Sequence, residues 1–401
     1  MRQSADILIS GGGVAGLAAA AAFGTAGYSV IIVDPAPPVT QATAPGADLR
    51  TTAFLQPSIP VLTAAGLWDR LEAHAMPLQV MRIVDAGGPE PVARLTHDFD
   101  AADVSARPFG WNLPNWLLRR EFVARLAELP NVDFRPGVAT LRLFTREAEA
   151  RVTLSDGAQV TARLVIGADG RHSRVRKSLG IGVRTTRYGQ RALAFAVTHE
   201  APHNNVSTEV HRSGGPFTLV PLPDHDGRPC SAVVWMETGP QIERLRALPR
   251  DAFALEMNER SCGLYGWLEQ ASALTVWPII TQMANRMTGQ RTALMAEAVH
   301  VVPPIGAQGL NMSLADLTAL IELSTPDTLG PDMLGNVAML DAYQRRRMPD
   351  IKLRLAGIDA LNRASMLASR PLRDARAGAL HALYSLAPVR KGLMQLGIGM
   401  R

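Results

Sequence analysis

Residues 5–34 run ADILISGGGVAGLAAAAAFGTAGYSVIIVD, and their reading decides the fold. ADILIS (5–10) is a short apolar run of strand type, Gly11–Gly13 a turn, and the alanine-rich stretch 14–27 a helix stopped by Gly27. YSVIIVD (28–34) is a second apolar strand. Strand, helix and strand in that order build a parallel pair joined by a crossover helix. Inside it stands Gly11-x-Gly13-x-x-Gly16, with Asp34 18 residues further on. Each position has a physical task. Gly11 permits the tight turn, Gly13 lets backbone approach a pyrophosphate, and Gly16 lets helix and strand pack closely. The helix N-terminus at Val14 and Ala15 offers unpaired N–H groups and partial positive charge to phosphates. A carboxylate at Asp34 can accept hydrogen bonds from both ribose hydroxyls. This is a dinucleotide site, and by itself it does not separate NAD from FAD.

Composition sets the outer bounds. The 401 residues suffice for two or three domains. Two cysteines, Cys230 and Cys262, are too few for a disulfide framework, which fits a reducing cytosol. No signal peptide is visible, and no stretch reaches the ~20 apolar residues of a membrane span. The charge is uneven. Residues 341–401 hold twelve Lys/Arg against four acidic residues, a charge of +8, which leaves −3 for the rest of the +5 chain. Such a tail suits anionic lipid, an acidic partner or plain solvation. The run Arg345–Arg347 has no reading motif beside it, so nucleic acid is not expected.

The pattern then divides the chain. Residues 58–74 and 115–129 read as helices, and 151–166 as an alternating strand that turns apolar and enters a glycine turn. From about 183 to 280 short β-type segments such as LAFAVTHE, FTLVPL and SAVVWME dominate, with a helical insert near 241–260. Residues 291–323 return to strand, loop and helix, and from about 338 the pattern is helical.

Two further stretches carry a resemblance: GADGRHSRVR (167–176), and AEAVHVVPPIGAQGLNMSLAD (296–316). With the first motif they resemble the three-motif signature of the flavin aromatic hydroxylases, the class of para-hydroxybenzoate hydroxylase. PIGAQGLN (304–311), ADLRTTAF (47–54), Tyr343 and Arg347 before Asp350, and the tail ending in VRKGLMQLGIG narrow the likeness to UbiH-type ubiquinone-biosynthesis hydroxylases. The likeness spans nearly the whole chain. It implies an α/β fold: a Rossmann-type FAD-binding domain (1–75, 111–182 and 281–337), a mostly antiparallel β-sheet substrate domain (76–110 and 183–280), and a C-terminal helical region (338–401).

The resemblance also implies roles. Arg50 would reach the FAD phosphate or ribityl region, and Arg119 would lie near the cofactor. Asp169 would hold the pyrophosphate region indirectly and lie where the class touches transient NAD(P)H. Glu297 would bind a ribityl hydroxyl. Pro304, Gly306, Gly309, Leu310 and Asn311 open a helix whose free N–H groups can face the flavin's pyrimidine carbonyl. Two positions depart from the family: Ala296-Glu297 replaces the usual Gly-Asp, and Pro303 replaces a frequent His.

The implied activity is hydroxylation of a polyprenylated phenol in ubiquinone synthesis, with FAD, NAD(P)H and dioxygen. No dedicated catalytic acid or base is required by the sequence, and no metal site is expected. Rival readings are a flavin oxidoreductase with another aromatic substrate and a non-catalytic lipid-binding scaffold of a quinone-synthesis complex. The expected place is the cytoplasm, with peripheral contact to the inner face of the membrane as an extension. Tyr188, His199 and His211 are polar candidates in the substrate region. His300 is weighed as a structural histidine, and Trp111, Trp116, Trp235, Trp267 and Trp277 as core. The final helix, with Leu383, Leu386, Val389, Leu393, Leu396 and Ile398 beside Arg390 and Lys391, suits either a membrane surface or docking on the flavin domain.

Overall fold

A computed structural model describes residues 2–324, 333–367 and 369–399. Residues 325–332, within the expected 281–337 segment, and 368, 400 and 401, within the tail, lie outside the described residues. The first sheet has the strand Arg2–Ser10 at its centre, between Val30–Asp34 and Gln159–Gly167. Both pairings are parallel, as are those of Val132–Pro136 and Thr292–Leu294 further out. Ile7, Leu8, Ile9 and Ile32 are fully buried, as strands covered on both faces must be. The helix Val14–Thr25 crosses between the first two strands and is buried from Gly16 to Gly24. Its alanines let three layers meet closely: the sheet, the helix Asn115–Ala127 and the helix Gln308–Ser324.

The second sheet runs His300–Val301, Thr275–Ala284, Val183–Thr198, Arg228–Thr238, Pro216–His225, Val206–His211, Val80–Asp85 and Leu95–Asp100. Its pairings along this order are antiparallel except Val206–His211 with Val80–Asp85. Strand alternation gives it two faces. Leu193, Phe195, Phe217, Val233 and Trp235 face the helices Gly239–Ala247 and Arg250–Ser261. The other face carries smaller residues, including Ala192, Ala196, Ala232 and Val220. A third, three-stranded sheet joins Thr51–Leu55, Gly110–Pro114 and Met76–Leu78. It meets Pro216–His225, where Asn112 Nδ2 donates to the Pro221 carbonyl at 2.9 Å.

Several expected elements are subdivided. The stretch 58–74 is two short helices, Ile59–Ala64 and Trp68–Leu71, because the chain turns at Gly66 with φ +69°. The stretch 151–166 is a hairpin, Ala150–Leu154 antiparallel to Gln159–Gly167, turned by Asp156 and Gly157. The insert near 241–260 is two helices parted at Pro249, whose ring suits a helix start and not an interior. Strand Thr275–Ala284 runs across the expected boundary between 280 and 281. Helices Val337–Ser365, Arg370–Ser385 and Ala387–Ile398 complete the chain.

Candidate functional site

The first glycine turn rests directly on the second motif. Gly11 has φ +114°, and a β-carbon there would meet the Ala168 carbonyl oxygen at 2.3 Å and the Asp169 nitrogen at 2.8 Å. The Gly11 amide donates to the Val33 carbonyl at 2.8 Å. Gly13 is different: it is the N-cap of Val14–Thr25 with no side-chain cap, and a β-carbon there would meet nothing within 4 Å. The helix therefore presents its N-terminal amides, at the partly exposed Val14 and Ala15, to open space. Asp34 stands beside this turn. Its Oδ2 accepts from the Gly12 amide at 2.6 Å and its Oδ1 from the Ala36 amide at 2.8 Å. Those bonds fix the carboxylate and leave it lone pairs for further donors.

Asp169 follows the same logic. Its Oδ2 caps the short helix Arg174–Ser178, accepting from the Arg174 and Val175 amides at 2.7 and 3.1 Å, while its buried Oδ1 has no partner. A buried carboxylate oxygen left free next to a cradle of open amides is a place for a ligand donor. The third motif is tied to the second. Met295 N–H donates to the Gly167 carbonyl at 3.0 Å, and Arg176 Nη1 donates to the Ala298 carbonyl at 2.7 Å. Glu297, exposed, lies with its Oε2 3.9 Å from Arg171 Nε.

Arg50 joins this group from another element. Asp48 holds it in a two-point pair, with Nε and Nη2 each 2.7 Å from a carboxylate oxygen, and Asn115 Nδ2 adds a bond to Asp48 at 3.1 Å. Arg119 Nη2 reaches the same Asp48 oxygen at 3.4 Å. Burial would raise the Asp48 carboxyl, but Arg50, Asn115 and Arg119 outweigh it and hold it below its ordinary value. The Asp48 bond, and the Glu297 charge more weakly, keep the Arg50 guanidinium above its own. The Arg50 head lies 5.3 Å over the Trp277 ring, at the edge of the small-residue face of the second sheet.

The 304–311 loop lies beside strand Thr51–Leu55. The helix opens at Gln308, so Gly309, Leu310 and Asn311 form its first turn. Asn311 is saturated within the protein. Its Oδ1 accepts from the Leu55 amide and the Ser58 hydroxyl, and its Nδ2 donates to the Ala53 and Ala307 carbonyls. Its side chain therefore shapes the loop and is not free to touch a cofactor. Pro304 and Gly309 are exposed. A β-carbon at Gly309 would meet only Val302 Cγ2 at 3.8 Å, so the loop offers flat backbone to the cleft.

Beneath this loop is a charge cluster that the sequence reading did not assemble. Asp316 is fully buried. Its Oδ2 faces His300 Nε2 at 2.7 Å, and its Oδ1 takes Arg347 Nε at 2.8 Å. Arg347 continues to Asp350 at 2.7 Å; Arg354 bridges Asp350 and the side chain of Gln308, which donates to the Gly306 carbonyl. Burial pushes the Asp316 carboxyl up, and His300 and Arg347 more than reverse this. The signal in the sequence was an acid inside the apolar run MSLADLTALIEL, downstream of His300 and upstream of Arg347.

Other candidates have structural partners. His199 bonds the Ala201 carbonyl and Ser231 Oγ, and His211 faces Glu209 at 2.7 Å. The Tyr188 hydroxyl donates to Asp359; burial first, then that carboxylate, pushes it up to about 12. Trp235 is core, whereas Trp267 is exposed, contrary to expectation, because it sits past the end of helix Arg250–Ser261 in a turn region.

Comparison with known proteins places the chain in a family. The family described as FAD binding domain matches residues 4–352. A ubiquinone hydroxylase, UbiL, of Rhodospirillum rubrum is 35% identical over 397 residues, spanning 98% of this chain and 90% of its own. The 3-demethoxyubiquinol 3-hydroxylase of Escherichia coli is 25% identical, with 99% of each chain covered. Among solved structures, p-nitrophenol 4-monooxygenase PnpA of Pseudomonas putida shares the fold over 100% of both chains, with a TM-score of 0.79 at 19% identity.

Proposed function

We propose, from the premise that this chain belongs to the FAD binding domain family, that it is an FAD-dependent monooxygenase that hydroxylates the aromatic ring of a polyprenylated phenol in ubiquinone biosynthesis. Relatives named for ubiquinone hydroxylation, matched over nearly the full length of both chains, support the substrate class. The observation that carries the reading is the meeting of the first turn with the second motif at Gly11 and Ala168, beside the free Oδ1 of Asp169.

When bound, FAD would supply the oxidation chemistry, with NAD(P)H as the reductant and dioxygen as the source of the oxygen added to the ring. The protein's part is to bind, orient and exclude water. The amides at Gly13, Val14 and Ala15 would hold the pyrophosphate, and Asp34 the ribose. Arg50, oriented by Asp48 and backed by Arg119, would meet the phosphate or ribityl region. Asp169 and Glu297 would accept from cofactor hydroxyls or ordered water. The backbone of Pro304–Leu310 would lie along the flavin ring. The face of Ala192, Ala196, Ala232 and Val220 gives a ring and an apolar chain a dry, shallow floor. The division into FAD-binding, substrate and C-terminal regions belongs to the same reading, as do partners of a quinone-synthesis complex.

The purified protein should be yellow, should consume oxygen with NAD(P)H and a phenol, and its loss should make a hydroxylated quinone precursor disappear from cell lipids. A colourless protein that takes up no added FAD would instead fit a lipid-binding scaffold. An unchanged quinone profile on loss of the protein would reject the substrate.

A further inference from the structure

The helices Arg370–Ser385 and Ala387–Ile398 use only part of their surface to hold the protein. Arg373, Arg376, Ala377, Leu380 and Tyr384 recur at helical spacing on the first helix and turn inward. Arg376 bonds the buried Asp85 at 2.9 Å, and the Tyr384 ring stacks on His97 at 4.3 Å. On the second helix Met394 and Ile398 close over Leu55 and Phe109 beside Ala307. Gly397 offers its carbonyl to Gln308 of the flavin loop at 2.9 Å. Docking on the flavin domain is thus satisfied by one stripe per helix.

Each helix carries a second apolar stripe that is exposed. On the first it is Leu372, Ala375, Ala379 and Leu383, continued by Leu386 just past its end, about a third of a turn from the docked stripe by the 3.6-residue period. On the second it is Val389, Leu393 and Leu396. Leu386 and Leu396 are each 58% exposed, and Leu353 and Leu361 on Val337–Ser365 are 65% and 59% exposed. Isolated exposed leucines are ordinary, but stripes at helical spacing on consecutive helices are not. Cations flank them: Lys352, Arg370 and Lys391 are exposed and form no ion pair among the described residues.

We propose that these stripes dock the protein on the anionic surface of a lipid bilayer, with leucines in the interfacial layer and Lys352, Arg370 and Lys391 at the headgroups. No helix among the described residues is long and apolar enough to cross a membrane, so the helices lie on the surface. A second copy fits less well, since it would set one +8 tail against another. The proposal rests on the reading above for its purpose, the supply of a lipid-like phenol. The docked helix sits directly over the flavin loop, so a substrate leaving the bilayer would have a short path to the cleft.

The test is flotation of the purified full-length, FAD-loaded protein with vesicles of phosphatidylcholine alone and of equimolar phosphatidylcholine and phosphatidylglycerol. Binding should be about tenfold stronger on the anionic vesicles and weaken with added salt. The exposed triple variant Leu383→Asn, Leu386→Asn, Leu393→Asn, and separately Arg370→Glu with Lys391→Glu, should each lose about tenfold. Both variants should keep flavin absorbance and turnover of a water-soluble phenol, which shows that they fold. Wild-type protein that floats with neither vesicle, or variants that float like wild type, would overturn the proposal. So would a doubling of mass in solution that these variants abolish with no vesicle binding, which assigns the stripes to a second copy. Flotation of a protein that never binds FAD would uphold the docking and defeat the oxygenase reading alone.

Discussion

Gly16 lies against Gly11 so closely that a β-carbon on Gly16 would sit 1.9 Å from the Gly11 carbonyl oxygen. Neither group is a flexible side-chain end, so Gly16→Ala must move the turn that cradles the nucleotide. Overpacking of this kind costs about 1–3 kcal/mol, or roughly 5- to 150-fold in an affinity. FAD binding measured by flavin fluorescence should weaken within that range, and unaltered affinity would show that the turn does not hold the cofactor.

Ala296 stands at φ +57°, a left-handed conformation that glycine adopts freely and alanine does not. Its place in the Ala296-Glu297 pair, where the flavin hydroxylases carry Gly-Asp, is therefore strained backbone. Ala296→Gly should stabilise the protein by about 0.5–1 kcal/mol, the relief of strain less the extra freedom of the unfolded chain. Urea unfolding should show a higher midpoint at an unchanged slope; a lower midpoint would contradict the strain.

Asp48 is the residue that aims Arg50. Asp48→Asn keeps the shape but removes the charge and one of the two bonds at 2.7 Å. A charge-assisted bond contributes about 1.5–3 kcal/mol, so FAD affinity should fall about tenfold or more. Equal affinity in titrations of wild type and variant would mean that Arg50 does not reach the cofactor.

Asp316 couples folding to acid. Its carboxyl is held below the ordinary 3.8 by His300 and Arg347 despite burial. A depressed folded value means that the unfolded chain takes up the proton first. The stabilisation is complete above about pH 4 and is lost as pH falls toward the folded value. Asp316→Ala should cost about 3–5 kcal/mol at neutral pH, because it strands the buried Arg347 charge. Asp316→Asn should show a shallower loss of stability below about pH 4 than wild type in acid titrations followed by circular dichroism. Parallel curves would place the acid transition elsewhere.

The opening βαβ unit was legible because its strands are short and apolar and its glycines sit between strand and helix, a pattern set by local sequence. Asp169 and Glu297 are placed only by resemblance, since what sets each beside the first turn or the second motif, Gly11 for Asp169 and Arg171 for Glu297, lies more than a hundred residues away in the chain. Asp48 went unnoticed beside the more conspicuous Arg50. Asp316 is hidden because MSLADLTALIEL reads as an apolar helix, and the partners of its first acid, His300 and Arg347, lie on other elements. The hairpin at Asp156-Gly157 was missed because alternation continues on both sides of the turn. Asn311 shows the converse: a residue in a cofactor motif whose side-chain amide serves the protein's own backbone.

The ion pair of Asp316 and Arg347 has a consequence for synthesis. A chain emerging from the ribosome completes the helix Gln308–Ser324 before Arg347 exists, and until then Asp316 has no guanidinium to meet. The nucleotide-binding part therefore gains the full pairing of its buried acid only once position 347 has been made. Stop codons placed between positions 325 and 346 should yield less soluble product than the full chain, even though every glycine of the first motif has been translated.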